Sequence, residues 1–242
     1  MDFGPFTEEA DVLSDAIELG GGDRRSARSG DPLSLLHSSA AQACLMRVYG
    51  DTRVPGLRNF ADIAMSAIPG RLPSPISAAR GALLNQVTRM LDARLVIALG
   101  TSQGVAAVWL ACALREQGRR SGDRGVIGLE PVAAHAHAAR ALLRSAAVAR
   151  YVDIREGAVC EELSRIDEPI DLLFIDGHPS AALGSPLSLI RRLHSRLRSG
   201  GAVIVDRIRR WPAAADWLRN PANGYCAITL PYTAGIEVSI KR

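Results

Sequence analysis

Short apolar runs alternate with longer Ala-, Leu- and Arg-rich stretches from residue 95 onward, and this alternation constrains the fold more than any other feature. Most of the runs are continuously apolar rather than apolar at every second position, which is typical of a parallel sheet covered on both faces by helices. The predicted helices begin near residues 103, 132, 160 and 186. The predicted strands are Leu95–Leu99, Val126–Glu130, Val152–Arg155, Leu172–Asp176 and Ala202–Asp206. The sequence therefore predicts an α/β fold with a mostly parallel sheet.

The order changes at the carboxyl terminus. Two strand-like runs, YCAITLP and GIEVSIKR, are joined by a short Tyr-Thr-Ala-Gly turn. Because so short a connection cannot hold a crossover helix, these last two strands are predicted to pair antiparallel.

Three segments are predicted along the chain. Residues 1–30 combine an acidic stretch, three consecutive glycines and an Arg/Ser-rich run, which indicates a flexible appendage. Residues 31–75 carry apolar residues at helical spacing and are predicted to form a helical cap or a dimer contact. Residues 76–242 hold the alternating pattern and are predicted to form the main domain.

Composition excludes several classes of protein. The longest apolar run, 105–114, is too short to span a membrane, and the amino terminus lacks a signal-peptide pattern, so we expect a cytoplasmic protein. The net charge of +4 comes without any basic run interleaved with aromatics, so no nucleic-acid partner is predicted. The four cysteines are far apart and show no zinc spacing. Lys241 is the only lysine, which excludes a lysine base near the middle of the chain.

The strongest candidate site is the turn in LVIALGTSQGV, where a strand ends and Gly100 and Gly104 precede a helix. Exposed amides at a helix amino terminus bind a carboxylate or another polar group. The spacing differs from the GxGxxG of dinucleotide-binding folds, which disfavours an NAD-dependent oxidoreductase. A tight turn without a ligand stays open as an alternative.

Glu130, in VIGLEP, ends the second predicted strand. An acidic residue at this distance after the first turn can accept hydrogen bonds from ribose hydroxyls. A solvated loop carboxylate is the alternative. Both features are predicted at the carboxyl ends of adjacent strands, where open α/β sheets bind ligands.

Asp176 ends the fourth predicted strand, in IDLLFIDGHP, and is expected over the same crevice. It could orient a cofactor, hold a metal or position an acceptor hydroxyl. His178 is the best candidate general base, because imidazole titrates near neutrality. A loop histidine with purely structural hydrogen bonds is the alternative for His178.

Asp206 ends the fifth predicted strand and is followed by Arg207. Two alternatives are open: Asp176 and Asp206 chelate a hard cation, or Arg207 pairs with Asp206 to form a charge cluster without metal. His135 and His137 lie two apart on a predicted helix, so no metal site is predicted there. A Ser/His/Asp hydrolase is disfavoured because no GxSxG motif is present.

Seven segments in order resemble class I S-adenosylmethionine-dependent methyltransferases, nearest to the small catechol and caffeoyl-CoA O-methyltransferases. The resemblance covers about residues 76–242. The helix RGALLNQVTRML precedes a glycine motif, LVIALGTSQGV, and an acidic motif, GLEP. The other matching segments are REGAV, FIDGH, LRSGGAVIVD and the closing hairpin ITLPYTAGIEVSIKR.

This resemblance implies a Rossmann-like seven-stranded sheet, mostly parallel with the last strand antiparallel, with helices on both faces and N-terminal helices in front. It implies S-adenosyl-L-methionine as cofactor, a small-molecule acceptor, O-methylation and a homodimer. The implied cofactor-binding residues are Gly100, Thr101, Ser102, Gly104, Glu130, Pro131, Gly157, Ala158 and Asp176. The catalytic residues that we predict are His178 and Asp176, with no metal ligand.

Three departures from the family pattern bear on activity. Ala98 stands where the family usually has an acidic residue, two positions before Gly100. Arg207 stands where the metal-dependent branch has asparagine after the strand-five aspartate. Pro179 and Ser180 occupy the region where that branch often has a lysine base. We therefore expect either metal-independent transfer or an inactive protein that binds the cofactor or a partner, and a nucleic-acid methyltransferase is a further alternative.

Overall fold

The computed structural model describes residues 31–49, 75–119, 124–177, 182–232 and 234–242. The predicted appendage 1–30, most of the segment 50–75 and the predicted base His178 lie outside the described residues. Within the described residues, none of the helices combines the length and apolar character needed to cross a membrane.

A seven-stranded sheet in the order β3-β2-β1-β4-β5-β7-β6 forms the centre of the described chain. Strand β7 lies between β5 and β6 and is antiparallel to both, whereas β1 to β5 are parallel to one another. The strands are β1 Leu95–Leu99, β2 Gly125–Leu129, β3 Val152–Arg155, β4 Ile170–Ile175, β5 Leu197–Asp206, β6 Tyr225–Leu230 and β7 Ile236–Lys241. The predicted fold class, including the reversed last strand, is confirmed.

Helices cover both faces of the sheet. Those in the described residues are α1 Ser39–Tyr49, α2 Ala78–Met90, α3 Val105–Glu116, α4 Ala133–Ser145, α5 Val159–Ser164, α6 Pro186–Leu193 and α7 Pro212–Arg219. Side chains of α1 to α4 form one core cluster and those of α5 to α7 form the other. Strand β1 contributes Val96 and Ala98 to the first cluster and Leu95, Ile97 and Leu99 to the second, as strand alternation requires.

Helix α3 is buried along nearly its whole length, from Val105 to Leu114. It packs closely on α2, because a Cβ added at Gly81 would lie 2.1 Å from the Nε1 atom of Trp109. The same Nε1 donates a 3.0 Å hydrogen bond to the hydroxyl of Tyr49, the last residue of α1. Burial raises the pKa of Tyr49 to about 12, so its hydroxyl stays protonated. This contact fixes the end of α1 on the core.

Strands β4 and β5 begin earlier than the sequence predicts, and β2 begins and ends one residue earlier. The carboxylate of Asp171, the second residue of β4, accepts 2.8 Å hydrogen bonds from the amides of Arg94 and Leu95 and pairs with Arg198. Burial raises the pKa of Asp171, but these hydrogen bonds and the charge of Arg198 outweigh it, and the net pKa is lowered. A charged residue therefore extends β4 by joining it to the starts of β1 and β5.

Candidate active site

The turn after β1 is shaped by a left-handed glycine. Gly104 has φ of +86° and caps α3 at its amino terminus. A Cβ at this position would lie 2.9 Å from the Cα and Cβ atoms of Ala139 on α4. A side chain would therefore be strained by the backbone and crowded by the neighbouring helix. The glycine allows α3 to begin directly behind the turn.

Ser102, within the same turn, also has a positive φ, +47°. Its amide donates a 2.7 Å hydrogen bond to Oε2 of Glu130, which follows β2. Oε1 of Glu130 accepts a second hydrogen bond, 3.1 Å, from the amide of Val132. Glu130 is only 4% exposed, so the first two turns of the sheet are joined by a buried carboxylate. Residues in sparsely populated backbone regions occur preferentially at functional sites.

His135 contacts this carboxylate, which the sequence analysis did not predict. Its Nδ1 lies 3.4 Å from Oε1 of Glu130, and its Nε2 is buried with no hydrogen-bond partner among the described residues. The available signal is positional: His135 lies in the first turn of the helix that follows Glu130, within reach of the residue before that helix.

Two hydroxyls at the turn have the features of a ligand site. The Oγ1 of Thr101 and the Oγ of Ser102 are buried and have no hydrogen-bond partner in the described part of the chain. Buried polar groups are nearly always paired in proteins, so such atoms point to an external partner. Together with the amides at the start of α3 they fit a ligand with polar or charged groups, as S-adenosylmethionine has.

The other predicted cofactor residues lie at the same edge of the sheet. Pro131 follows Glu130, and Gly157 and Ala158 follow β3, where both are exposed. Gly157 has φ of +122°, and no described atom lies within 4 Å of where its Cβ would be. The structure therefore leaves room beside Gly157 in this loop.

A group of charged residues, here called the carboxylate–arginine cluster, lies beside the turn after β1. It consists of Asp176, Asp206, Arg207 and Arg80. Nη1 of Arg207 is 2.5 Å from Oδ1 of Asp176 and 2.9 Å from Oδ2 of Asp206. Nη1 of Arg80, on α2, is 3.3 Å from the same Oδ2 of Asp206. Asp176, Asp206 and Arg207 are 8%, 1% and 8% exposed. Arg207 therefore pairs with Asp206, as one of the two alternatives expects, and also with Asp176.

Backbone geometry holds the carboxylate–arginine cluster in place. Arg207 is left-handed, with φ of +55°, and its amide donates a 2.9 Å hydrogen bond to Oδ1 of Asp206. A Cβ at Gly177 would lie 2.0 Å from the carbonyl oxygen of Asp206, so only glycine fits after Asp176. Nε1 of Trp211 donates a 2.9 Å hydrogen bond to the carbonyl of Gly177. The loops after β4 and β5 are thereby fixed against each other.

Arg80 was not predicted as a site residue. It lies 126 positions from Asp206, and its guanidinium carbon lies 5.7 Å from the ring centroid of Tyr232, within the range of a cation–π contact. Nothing near it in the sequence indicates this pairing.

The strand order and the position of these residues at the carboxyl edge define a Rossmann-like fold of the class I methyltransferase type. Residues 97–208 match the protein family described as a methyltransferase domain. The chain is 32% identical, over 149 residues, to a protein of Mycobacterium sp. (strain JLS) whose curated name provisionally describes an O-methyltransferase. That alignment covers 61% of this chain and 63% of the relative's length.

Two further proteins are similar. The catechol O-methyltransferase of Mycobacterium tuberculosis is 31% identical over 136 residues, which cover 56% of this chain and 57% of that protein. The crystal structure of an O-methyltransferase from Bacillus cereus, in complex with S-adenosylhomocysteine, superposes with a TM-score of 0.59. The two sequences are 19% identical, and the superposition covers 87% of this chain and 100% of the Bacillus cereus chain. The two curated relatives confirm the resemblance to O-methyltransferases, and the solved structure has the same fold.

Proposed function

We propose that the protein is an S-adenosylmethionine-dependent O-methyltransferase that acts on a small-molecule acceptor. The names of the curated relatives support the activity, and the fold supports the cofactor. The observation that carries the proposal is the pair of buried hydroxyls of Thr101 and Ser102, unpartnered among the described residues, on a turn that Glu130 holds.

Each loop at the carboxyl edge has a part in binding. Each carboxylate oxygen of Glu130 accepts one hydrogen bond from a backbone amide and retains a lone pair for the ribose hydroxyls. Pro131, Gly157 and Ala158 are assigned to the ribose and adenine side. The residues that would hold the methionine end are Gly100, Thr101, Ser102 and Gly104.

S-adenosylmethionine, when bound, supplies an electrophilic methyl group on a sulfonium sulfur. The protein must hold the acceptor oxygen in line with that methyl and remove its proton. We assign proton removal to His178, two residues after Asp176, and assign to Asp176 the orientation of the cofactor or of that base. The homodimer stays a prediction. Sedimentation velocity would test it by measuring the mass of the protein in solution.

A protein that binds the cofactor without transfer is the second candidate. It is favoured by one observation: Asp176, assigned here to the reaction, is already engaged by Arg207 at 2.5 Å. Binding and transfer must therefore be measured separately.

The test uses the full chain with methyl-labelled S-adenosylmethionine and a panel of phenols, catechols and aliphatic alcohols. The proposal expects label in at least one acceptor and saturable cofactor binding in calorimetry. Binding without transfer to any acceptor supports the second candidate. If the cofactor does not bind at all, both are wrong.

A further inference from the structure

The position between Asp176 and Asp206 is the place where the metal-dependent branch of the resembling family has a cation, with an asparagine following the second aspartate. In this chain the corresponding position is occupied by Arg207. Asn offers a carbonyl oxygen as a ligand, whereas a guanidinium carries five N–H donors and no acceptor. The residues present therefore do not fit a divalent metal.

The guanidinium also occupies the space between the carboxylates. One nitrogen, Nη1 of Arg207, reaches Oδ1 of Asp176 at 2.5 Å and Oδ2 of Asp206 at 2.9 Å. A cation that bridged these two oxygens would need nearly the same place. The remaining oxygen of Asp206, Oδ1, accepts the backbone amide of Arg207.

The charge of the cluster also opposes the binding of a divalent cation. The carboxylate–arginine cluster contains two carboxylates and two guanidiniums, so its formal charge is zero, and three of its four members are less than a tenth exposed. Adding a divalent ion to a neutral, buried cluster that already contains two cations is opposed by repulsion at low effective dielectric.

We propose that the guanidinium of Arg207 replaces the divalent cation, so that this protein transfers methyl groups without metal. Together with Arg80 it neutralises the two carboxylates, and it holds one fixed positive charge between the ends of β4 and β5. This inference rests on the proposed function for its consequence in turnover, but the absence of a metal site can be tested by binding alone.

The backbone makes one substitution especially informative. Arg207 is left-handed, and asparagine is the residue, after glycine, that adopts this conformation most readily. Arg207→Asn therefore suits the local backbone. It removes one positive charge, adds a carbonyl ligand, and leaves Asp176, Asp206 and Arg80 with a net charge of minus one. It is expected to create a cation site.

The experiment is a titration with Mn²⁺, followed by electron paramagnetic resonance, on chelator-treated protein. Arg207→Asn is expected to bind one Mn²⁺ at least ~10-fold more tightly than the wild type, because ligand number and charge set the affinity of such sites. The double variant Arg207→Asn/Asp176→Asn should lose that site. Arg207→Lys keeps the charge, and Arg210→Asn changes an exposed arginine on the same turn, so both should bind as the wild type does.

The proposal is wrong if wild-type protein binds Mn²⁺ as tightly as Arg207→Asn and loses the ion in Asp176→Asn. It is also wrong if folded Arg207→Asn gains no site. Should that variant not fold, wild-type methyl transfer in excess EDTA decides: unchanged turnover supports the proposal, and loss that Mg²⁺ restores overturns it. If no acceptor is ever methylated, the proposed function fails while the Mn²⁺ result still stands.

Discussion

The amide of Ser102 donates a 2.7 Å hydrogen bond to the carboxylate of Glu130, although the two residues lie 28 positions apart. The contact joins the turns that follow β1 and β2. Ser102 is left-handed, and its hydroxyl is unpartnered among the described residues. A single buried carboxylate thus organises the turn to which the cofactor is assigned.

Gly104→Ala is expected to destabilise the protein and weaken cofactor binding. The substitution forces a Cβ into the left-handed region, which costs about 1–2 kcal/mol. It also places that Cβ 2.9 Å from Ala139, and crowding of this kind adds about 1–3 kcal/mol. Urea unfolding followed by tryptophan fluorescence measures the sum.

Gly118→Ala is the matched control. Gly118 has φ of +74°, and no described atom lies within 4 Å of its Cβ position, so only the backbone cost applies. The loss in the free energy of unfolding should therefore be larger for Gly104→Ala than for Gly118→Ala by about 1–3 kcal/mol, which is the crowding contribution alone. Equal losses in the two variants would mean that the contact between α3 and α4 is not tight.

Stability should fall on acidification through Asp171. The folded pKa of Asp171 is lowered from its ordinary value of 3.8, so its contribution is present above that value and is lost as the pH falls through the folded pKa. Asp171→Asn should lower the free energy of unfolding near neutrality by about 1–3 kcal/mol and flatten its decline below pH 3.8.

The control for Asp171 is Asp167→Asn, whose side chain is 90% exposed. That variant should keep both the neutral stability and the acid slope of the wild type, measured by urea unfolding at a series of pH values. An Asp171→Asn protein with an unchanged acid slope would show that other carboxylates account for the pH dependence.

His178→Ala should lower turnover by ~10²–10⁴-fold, the usual contribution of a general base, with little change in cofactor affinity. His137→Ala, an exposed histidine on α4, is the control and should turn over normally. Rates are measured with the best acceptor from the labelled-methyl panel. Wild-type turnover in His178→Ala would remove this residue from the mechanism.

Much of the fold follows from local pattern. Strands β1 and β3 have the predicted bounds because both are short and followed by turn residues. Strand β5 begins at Leu197, five residues before its prediction, because Arg198–Gly201 resembles a turn although the chain there continues in the sheet with a shifted register. Helix α7 was not predicted, although Pro212 stands at its first turn, where proline is favoured.

The site was predictable in position but not in its pairings. Parallel strands end at one edge, so Gly100, Glu130 and Asp176 could be placed together from sequence. The partners of Asp206 could not be predicted, because an aspartate followed by an arginine at the end of a strand fits a chelated cation and an arginine pair equally well. Arg80 reaches Asp206 only through the packing of α2, which no local pattern encodes.

The measurement that tests the central claim most directly is calorimetric titration of S-adenosylhomocysteine into wild-type protein, Glu130→Gln and Glu168→Gln. Glu168 is an exposed carboxylate far from the turn in sequence. We predict one binding site in the wild type, unchanged affinity in Glu168→Gln and a loss of about 10- to 100-fold in Glu130→Gln, the value of a charge-assisted hydrogen bond. No binding to the wild type, or equal affinity in all three proteins, would contradict the assignment of the cofactor to this turn.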